Sequence, residues 1–157
     1  MSALTCAVVQ LCSTQDVEAN LATIRRLVSE AAEAGARFIA LPENAAFLRT
    51  EPEAEAPIQS LEGSIVSAIR ELAADVGSWV LLGSFPEAVP GDSRYHNTSV
   101  VIDGTRAEAP ITSVYRKLHL FDIDVKGGET QKESDYIVAG SEMVCADIAG
   151  ITTGLSI

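Results

Sequence analysis

Apolar residues fall into short runs along the chain, and these runs predict the strands of a sheet. Residues 5–11 (TCAVVQL) are nearly continuously apolar, which is typical of a strand covered on both faces. The runs at residues 37–41 and 78–85 predict a second and a third strand of the same kind. Residues 97–103 and 111–117 are rich in β-branched residues and predict two more strands.

Two segments between these strands have the period of an amphipathic helix. The apolar stripe of the first helix consists of Val17, Leu21, Ile24, Val28 and Ala31. Asp16 is suited to cap the start of this helix, and Gly35 is suited to end it in the left-handed conformation. The second helix is predicted from about residue 64 to 76, with Gly77 after it. The order β-α-β-α-β predicts an α/β sheet whose first three strands are parallel.

The remaining segments are predicted to be loops and a final pair of strands. Residues 49–59 are acidic and contain proline, so we expect a surface loop. Residues 118–140 form a long polar segment that we interpret as a loop, and loops of this length tend to be functional. Residues 142–157 predict two strands around a turn near residues 149–150, and we expect the second of them to be buried.

Composition and charge narrow the functional classes. The 157 residues are 47% hydrophobic, 5% aromatic and carry a formal net charge of −11. An acidic chain is poorly suited to bind nucleic acid or an anionic membrane, so neither partner is predicted. We find no transmembrane run and no signal peptide, which predicts a cytoplasmic protein with free, buried thiols. The thiols are those of Cys6, Cys12 and Cys145.

Three positions could carry chemistry. Glu43 directly follows the strand at residues 37–41, where α/β sheets bind ligands, and a carboxylate there could act as a general base. Lys117 lies at the end of a strand beside Arg116 and could hold an oxyanion. The alternatives are an ordinary loop glutamate and a solvated basic patch. Glu133 by itself cannot be told from any surface glutamate of a loop, and His119 is expected to be a hydrogen-bonded structural histidine rather than a ligand or base. No metal-ligand spacing or nucleotide-binding motif is present, so no metal and no cofactor are predicted.

The ordered motifs resemble those of the nitrilase superfamily of carbon–nitrogen hydrolases. The resemblance spans the chain through AVVQL, EANLATI, ALPENAAFL, LLGSF, HNTSVVID, YRKLHLFD, ESDYIVAG and GLSI. It implies the N-terminal part of an α-β-β-α sandwich and a Glu-Lys-Cys catalytic triad. By this resemblance Glu43 is the general base and Lys117 stabilises the tetrahedral intermediate. Glu133 corresponds to a second glutamate that positions the lysine and the substrate.

The nucleophile is the point at which the sequence departs from the family pattern. The resemblance places the catalytic cysteine directly after Ile157, and none of Cys6, Cys12 and Cys145 matches its motif. We therefore interpret residues 1–157 as an incomplete carbon–nitrogen hydrolase domain that is inactive alone. Two alternatives remain open: a truncated, non-catalytic homologue that serves as a binding or assembly module, and one half of a split enzyme.

The loops suggest a substrate class. LPENAAFL, HLFDIDV and ESD are most similar to the branch that contains deaminated-glutathione amidases and omega-amidases. This likeness implies a small amide that bears a carboxylate, which needs local positive charge. Arg116 and Arg94 are the candidates for substrate binding. The resemblance also implies a homo-oligomer for the intact protein.

Overall fold

Five strands form one sheet in the computed structural model, which describes residues 3–50, 54–126 and 130–157. The strands are β1 (Cys6–Val8), β2 (Phe38–Ala40), β3 (Trp79–Ala88), β4 (Tyr95–Asp103) and β5 (Ile111–Arg116). Their spatial order is β1-β2-β3-β4-β5. Strands β1, β2 and β3 are parallel to one another, whereas the pairs β3–β4 and β4–β5 are antiparallel. The predicted parallel arrangement of the first three strands is confirmed.

Both predicted helices are present with the expected ends. Helix α1 spans Val17–Glu33 and helix α2 spans Ser64–Val76. The Asp16 carboxylate accepts a hydrogen bond from the backbone N–H of Ala19, which satisfies one of the free donors of the first turn. Neither helix, nor any other in the described ranges, is long and apolar enough to cross a bilayer.

The main core lies between the helices and one face of the sheet. The stripe of α1 contributes Ile24 and Val28, which are fully buried. Helix α2 contributes Ile65, Ile69 and Leu72 from the face that points toward the strands. The sheet presents every second residue to this layer, as the strand period requires. The inward residues of the three central strands are Ile39, Val80, Leu82, Val100 and Ile102.

The polar segment at residues 118–140 is more ordered than predicted. It contains the short antiparallel pair β6 (Asp122–Asp124) and β7 (Thr130–Lys132), followed by one turn of 3-10 helix at Glu133–Asp135. The prediction of a loop was therefore wrong, because strands of only three residues are too short to show a periodicity in the sequence. Residues 127–129 of this segment, and residues 51–53 of the predicted loop 49–59, lie outside the described residues.

A hairpin covers the other face of the sheet. Strands β8 (Cys145–Ile148) and β9 (Ile151–Gly154) pair around the predicted turn. Ala146 and Ile148 are buried against Val101 and its neighbours in the sheet. The expectation that the second strand is buried was wrong for the described chain. Ile151 is 48% exposed, since no further layer covers the outer face of the hairpin.

Two further expectations about burial also failed. Strand β1 was expected to be covered on both faces, but its Val8 side chain is 88% exposed. The strand lies at the edge of the sheet. The thiols of Cys6, Cys12 and Cys145 are exposed rather than buried. Cys145 alternates with the buried Ala146 and so lies on the outer face of the hairpin, whereas Cys6 lies on the edge strand β1 and Cys12 follows that strand. Sequence hydrophobicity alone could not reveal which faces have a partner layer.

Candidate active site

Glu43 is placed by a close contact between the segment that follows β2 and the middle of β3. A Cβ at Gly83 would lie 2.0 Å from the carbonyl oxygen of Leu41, so only glycine lets β3 pass this near to the LPEN segment. The Ser84 hydroxyl then accepts a 2.7 Å hydrogen bond from the backbone N–H of Asn44. Asn44 has a φ of 56°, which asparagine tolerates better than most residues. These contacts fix the turn that carries Glu43 at the carboxyl end of β2.

Lys117 lies between two carboxylates. Its Nζ atom is 3.1 Å from Oε1 of Glu43 and 3.0 Å from the carboxylate of Glu133. The backbone N–H of Lys117 donates to the carbonyl oxygen of Asn97, which continues the β4–β5 ladder by one residue. Only 7% of Lys117 is exposed. The structure thus brings together the three residues that the sequence singled out as catalytic candidates.

A fourth residue of the cluster escaped the sequence analysis. The side-chain amide of Asn97 donates a 2.7 Å hydrogen bond to Oε1 of Glu43, and Asn97 is buried. The backbone N–H of Phe121 donates a 2.7 Å hydrogen bond to Oε2 of Glu133. Each carboxylate therefore has a second donor besides Lys117. Asn97 lies in the HNTSVVID stretch that carries the family resemblance, so a signal was present. The pattern of that stretch predicted only a strand, and it gave Asn97 no role in the site.

The electrostatics of the cluster favour a charged lysine. Burial pushes the pKa of Lys117 downward, but hydrogen bonds to Glu133 and Glu43, together with their negative charges, outweigh it and raise the pKa above the ordinary lysine value. The Glu43 side chain is 40% exposed, whereas that of Glu133 is 17% exposed. Glu43 is therefore the carboxylate that a ligand can reach, and Glu133 is the more enclosed one.

Arg116 does not join this cluster. Consecutive strand residues point to opposite faces, so Arg116 lies behind Lys117 on the helix side of the sheet. There its guanidinium binds the buried carboxylate of Glu87, and the Thr98 hydroxyl donates to the same carboxylate. Glu87 is 6% exposed. One carboxylate thus ties three neighbouring strands together.

Arg94 also has a carboxylate of its own. Its guanidinium pairs with Asp92 at 2.8 Å and holds the pKa of that carboxyl at about 2. Its Nη1 atom donates to the carbonyl oxygen of Ser134, the residue after Glu133, at 3.3 Å. This contact supports the turn that carries Glu133. A substrate-binding role for Arg94 or Arg116 stays a prediction. The side chain of His119 is exposed.

The cluster offers one accessible proton acceptor and one fixed cation in the same site. In the described ranges, no group of three or more His, Cys, Asp or Glu side chains could hold a metal ion. None of the hydrogen bonds and ion pairs of Glu43, Lys117 and Glu133 found among those residues involves a cysteine. The arrangement can remove a proton, return it and stabilise a developing negative charge.

Comparison with known proteins identifies the family. The sequence profile of the carbon–nitrogen hydrolase family matches residues 5–157. The chain is 34% identical over 155 residues to hydrolase C26A3.11 of Schizosaccharomyces pombe, covering 95% of this chain and 45% of that protein. It is 31% identical over 157 residues to the deaminated glutathione amidase of Dictyostelium discoideum, covering 94% and 53%. The structure is similar to that of Caenorhabditis elegans NitFhit, with a TM-score of 0.82, 28% identity and coverage of 98% and 38%.

The chain belongs to the carbon–nitrogen hydrolase family. The predicted resemblance to the nitrilase superfamily is confirmed, and so is the predicted α/β fold class. The chain spans about half the length of the curated relatives just described, at 45% and 53% of their residues.

Proposed function

We propose that this chain supplies the acid–base part of an amidase site that hydrolyses the C–N bond of a small, carboxylate-bearing amide. The observation that carries the proposal is the position of the Lys117 ammonium between the carboxylates of Glu43 and Glu133. Family membership and the similarity to an amidase support the reaction class. Glu43 is the general base, Lys117 is the oxyanion-stabilising cation, and Glu133 is a positioning residue that holds Lys117.

The thiol nucleophile is proposed to come from a cysteine directly after Ile157, as the family resemblance implies. Two backbone hydrogen bonds connect this region to the site. The N–H of Leu155 donates to the carbonyl oxygen of Val144, and Val144 lines a cavity together with Arg116 and Gly140. The N–H of Gly140 in turn donates to the carbonyl oxygen of Lys117 at 2.8 Å. Leu155 therefore pairs with the same segment, residues 140–144, whose Gly140 contacts Lys117 at the end of β5.

The proposed steps follow from these positions. Glu43 takes the thiol proton, and the resulting thiolate attacks the amide carbonyl carbon to form a tetrahedral intermediate. The Lys117 ammonium stabilises its oxyanion. Protonated Glu43 gives its proton to the leaving nitrogen, so ammonia departs and a thioester remains. Glu43 then takes a proton from the water that attacks the thioester carbon, the C–S bond breaks to release the carboxylic acid, and protonated Glu43 returns its proton to the cysteine thiolate.

The test measures ammonia release from succinamate, a short amide with a carboxylate. The enzyme assayed is a polypeptide that contains residues 1–157 together with the proposed cysteine after Ile157. We expect Glu43→Gln to lower the rate by about 10²-fold or more, because a positioned general base contributes on that order. Glu30→Gln is the matched control, since Glu30 lies on the exposed face of α1 in a pair with Arg26. A Glu43→Gln variant with the wild-type rate would contradict the proposal. Full activity of residues 1–157 alone would contradict the proposed source of the thiol.

A further inference from the structure

Arg49 differs from Arg94 and Arg116 in the kind of group that its guanidinium contacts. Its guanidinium carbon lies 5.1 Å from the centre of the Tyr136 ring, which is the geometry of a cation–π contact. Arg94 and Arg116 are each bound to a carboxylate, and Arg70 donates to two backbone carbonyl oxygens. Among the residues that the structure describes, no carboxylate forms an ion pair with Arg49. A stacked guanidinium keeps its N–H edge available for a planar anion.

Arg49 lies in a cavity lined by aromatic and hydroxyl groups. The cavity has a volume of about 390 Å³, and its lining includes Tyr95, Tyr136 and Ser93. The rings of Tyr95 and Tyr136 are 6.1 Å apart, centre to centre, so the two aromatic side chains form one wall. Apolar walls with a few convergent polar groups are typical of small-molecule sites. Glu55 also lines this cavity and is the one acidic group among its described lining residues.

Tyr136 links this cavity to the catalytic cluster. It also lines a second cavity, of about 490 Å³, whose walls include Glu133 and Phe121. The backbone N–H of Tyr136 donates to the carbonyl oxygen of Glu133, and its own carbonyl oxygen accepts from Tyr95. Burial raises the pKa of the Tyr136 phenol, and the charge of Glu133 raises it further against the opposing effect of Arg49. Tyr136 therefore lies next to both the cavity that holds Arg49 and the charged groups of the catalytic cluster.

We propose that Arg49, with Tyr95 and Tyr136, is the subsite that binds the carboxylate of the amide substrate. The inference rests on the proposed amidase function, because it assigns the charged end of a molecule whose amide lies at Glu43 and Lys117. The guanidinium edge of Arg49 donates two parallel hydrogen bonds to the carboxylate, while the Tyr136 ring holds the guanidinium plane. This placement gives an acidic protein local positive charge where an anionic substrate needs it.

The experiment compares two ligands that differ only at this end. Succinamate carries a carboxylate, and butyramide has a methyl group in its place. Binding of each is measured by calorimetry in a Glu43→Gln background, in which the proposed hydrolysis is blocked, with and without Arg49→Gln. Arg26→Gln is the control, because it removes the same charge from the exposed face of α1. Arg49→Lys tests whether charge alone is sufficient.

We expect Arg49→Gln to weaken succinamate binding by about tenfold or more, as loss of a charge-assisted hydrogen bond does. Butyramide binding should change by less than about twofold, Arg26→Gln should have no effect, and Arg49→Lys should restore part of the loss. Glu55→Gln should strengthen succinamate binding, because it removes a competing carboxylate from the cavity. Equal weakening of both ligands, or no weakening of either, would overturn the subsite.

Measurements of ammonia release and of binding together distinguish a failure of this inference from a failure of the proposed function. Continued ammonia release in the Glu43→Gln background would overturn the amidase mechanism, and the selectivity of Arg49 would then be read from KM for the two amides. Absence of any succinamate binding while Arg49 is intact would overturn the subsite. Selective loss of succinamate binding on removing Arg49, together with no hydrolysis of either amide by the protein with Glu43 intact, would support the subsite and contradict the function.

Discussion

Lys117 and Glu43 are 74 residues apart in sequence, yet their side chains meet at 3.1 Å between Nζ and Oε1. The contact spans the sheet from the carboxyl end of β2 to the end of β5. It forms because Asn97 on the intervening strand β4 binds both residues: its carbonyl oxygen accepts from the Lys117 N–H, and its amide donates to Glu43. The site is therefore a product of sheet register.

The first prediction concerns the contribution of Lys117 to stability. Lys117→Met should lower the free energy of unfolding near neutral pH by about 2 kcal/mol, because it removes a cation that is hydrogen-bonded to two carboxylates. The pKa of Lys117 is raised in the folded state from the ordinary value of 10.5. Its contribution is then complete below pH 10.5 and is lost as the pH rises through the raised pKa.

Urea unfolding across the alkaline range checks this sign. The stability difference between the wild type and Lys117→Met should be constant up to about pH 10 and shrink above it. Lys132→Met is a suitable control, because Lys132 lies on the exposed strand β7. A difference that grows with alkaline pH would contradict the proposed pairing.

The second prediction concerns Asn97. Asn97→Ala should destabilise the protein by about 1–3 kcal/mol, since it removes a buried donor from the Glu43 carboxylate. Thermal unfolding measures the change. Thr23→Ala on the exposed face of α1, where the hydroxyl only bonds back to Ala19, should cost much less. Comparable losses in the two variants would show that the contact to Glu43 does not stabilise the fold.

The third prediction concerns the close contact at Gly83. Gly83→Ala should cost about 3 kcal/mol or more, because its Cβ would lie 2.0 Å from one backbone oxygen and 2.2 Å from that of Pro42. Gly154→Ala is the matched control, since nothing lies within 4 Å of a Cβ there. Denaturant unfolding should separate the two alanine variants clearly. If Gly83→Ala is as stable as Gly154→Ala, the LPEN turn is not fixed by this contact.

The fourth prediction concerns the buried pair behind the site. Glu87→Ala should cost about 1–3 kcal/mol, because it leaves the buried Thr98 hydroxyl and the partly exposed guanidinium of Arg116 without their partner. Asp75→Ala breaks the exposed pair with Arg25 and should cost less than about 1 kcal/mol. Chemical unfolding of both variants tests this contrast. Equal costs would mean that Glu87 is not the tie between the three strands.

The fifth prediction concerns the thiols. Cys6, Cys12 and Cys145 are exposed, so all three should react with an aromatic disulfide reagent in the folded protein. The number of thiols that react should be the same before and after unfolding in denaturant. A thiol that reacts only after unfolding would restore the sequence-based expectation of burial for that residue.

The sequence by itself determined the local structure and the family. Helices α1 and α2 begin and end where their apolar period, Asp16 and the C-terminal glycines predicted, because helical order is encoded between residues a few positions apart. The parallel direction of the first three strands was also predicted, since a helix between two strands carries the chain back to the same end of the sheet. The ordered motifs singled out Glu43, Lys117 and Glu133 because each lies at the end of an element or in a characteristic stretch.

Only the tertiary structure decided which side chains meet and which faces are covered. The partners of Asn97, Glu87 and Arg49 could not be predicted from the sequence, because each partner lies on a strand or segment that is distant in the chain. The exposure of the cysteines and of β1 likewise depends on whether another layer packs there, which residue type does not specify. Burial and charge pairing are properties of packed layers, whereas helices and turns are properties of neighbouring residues.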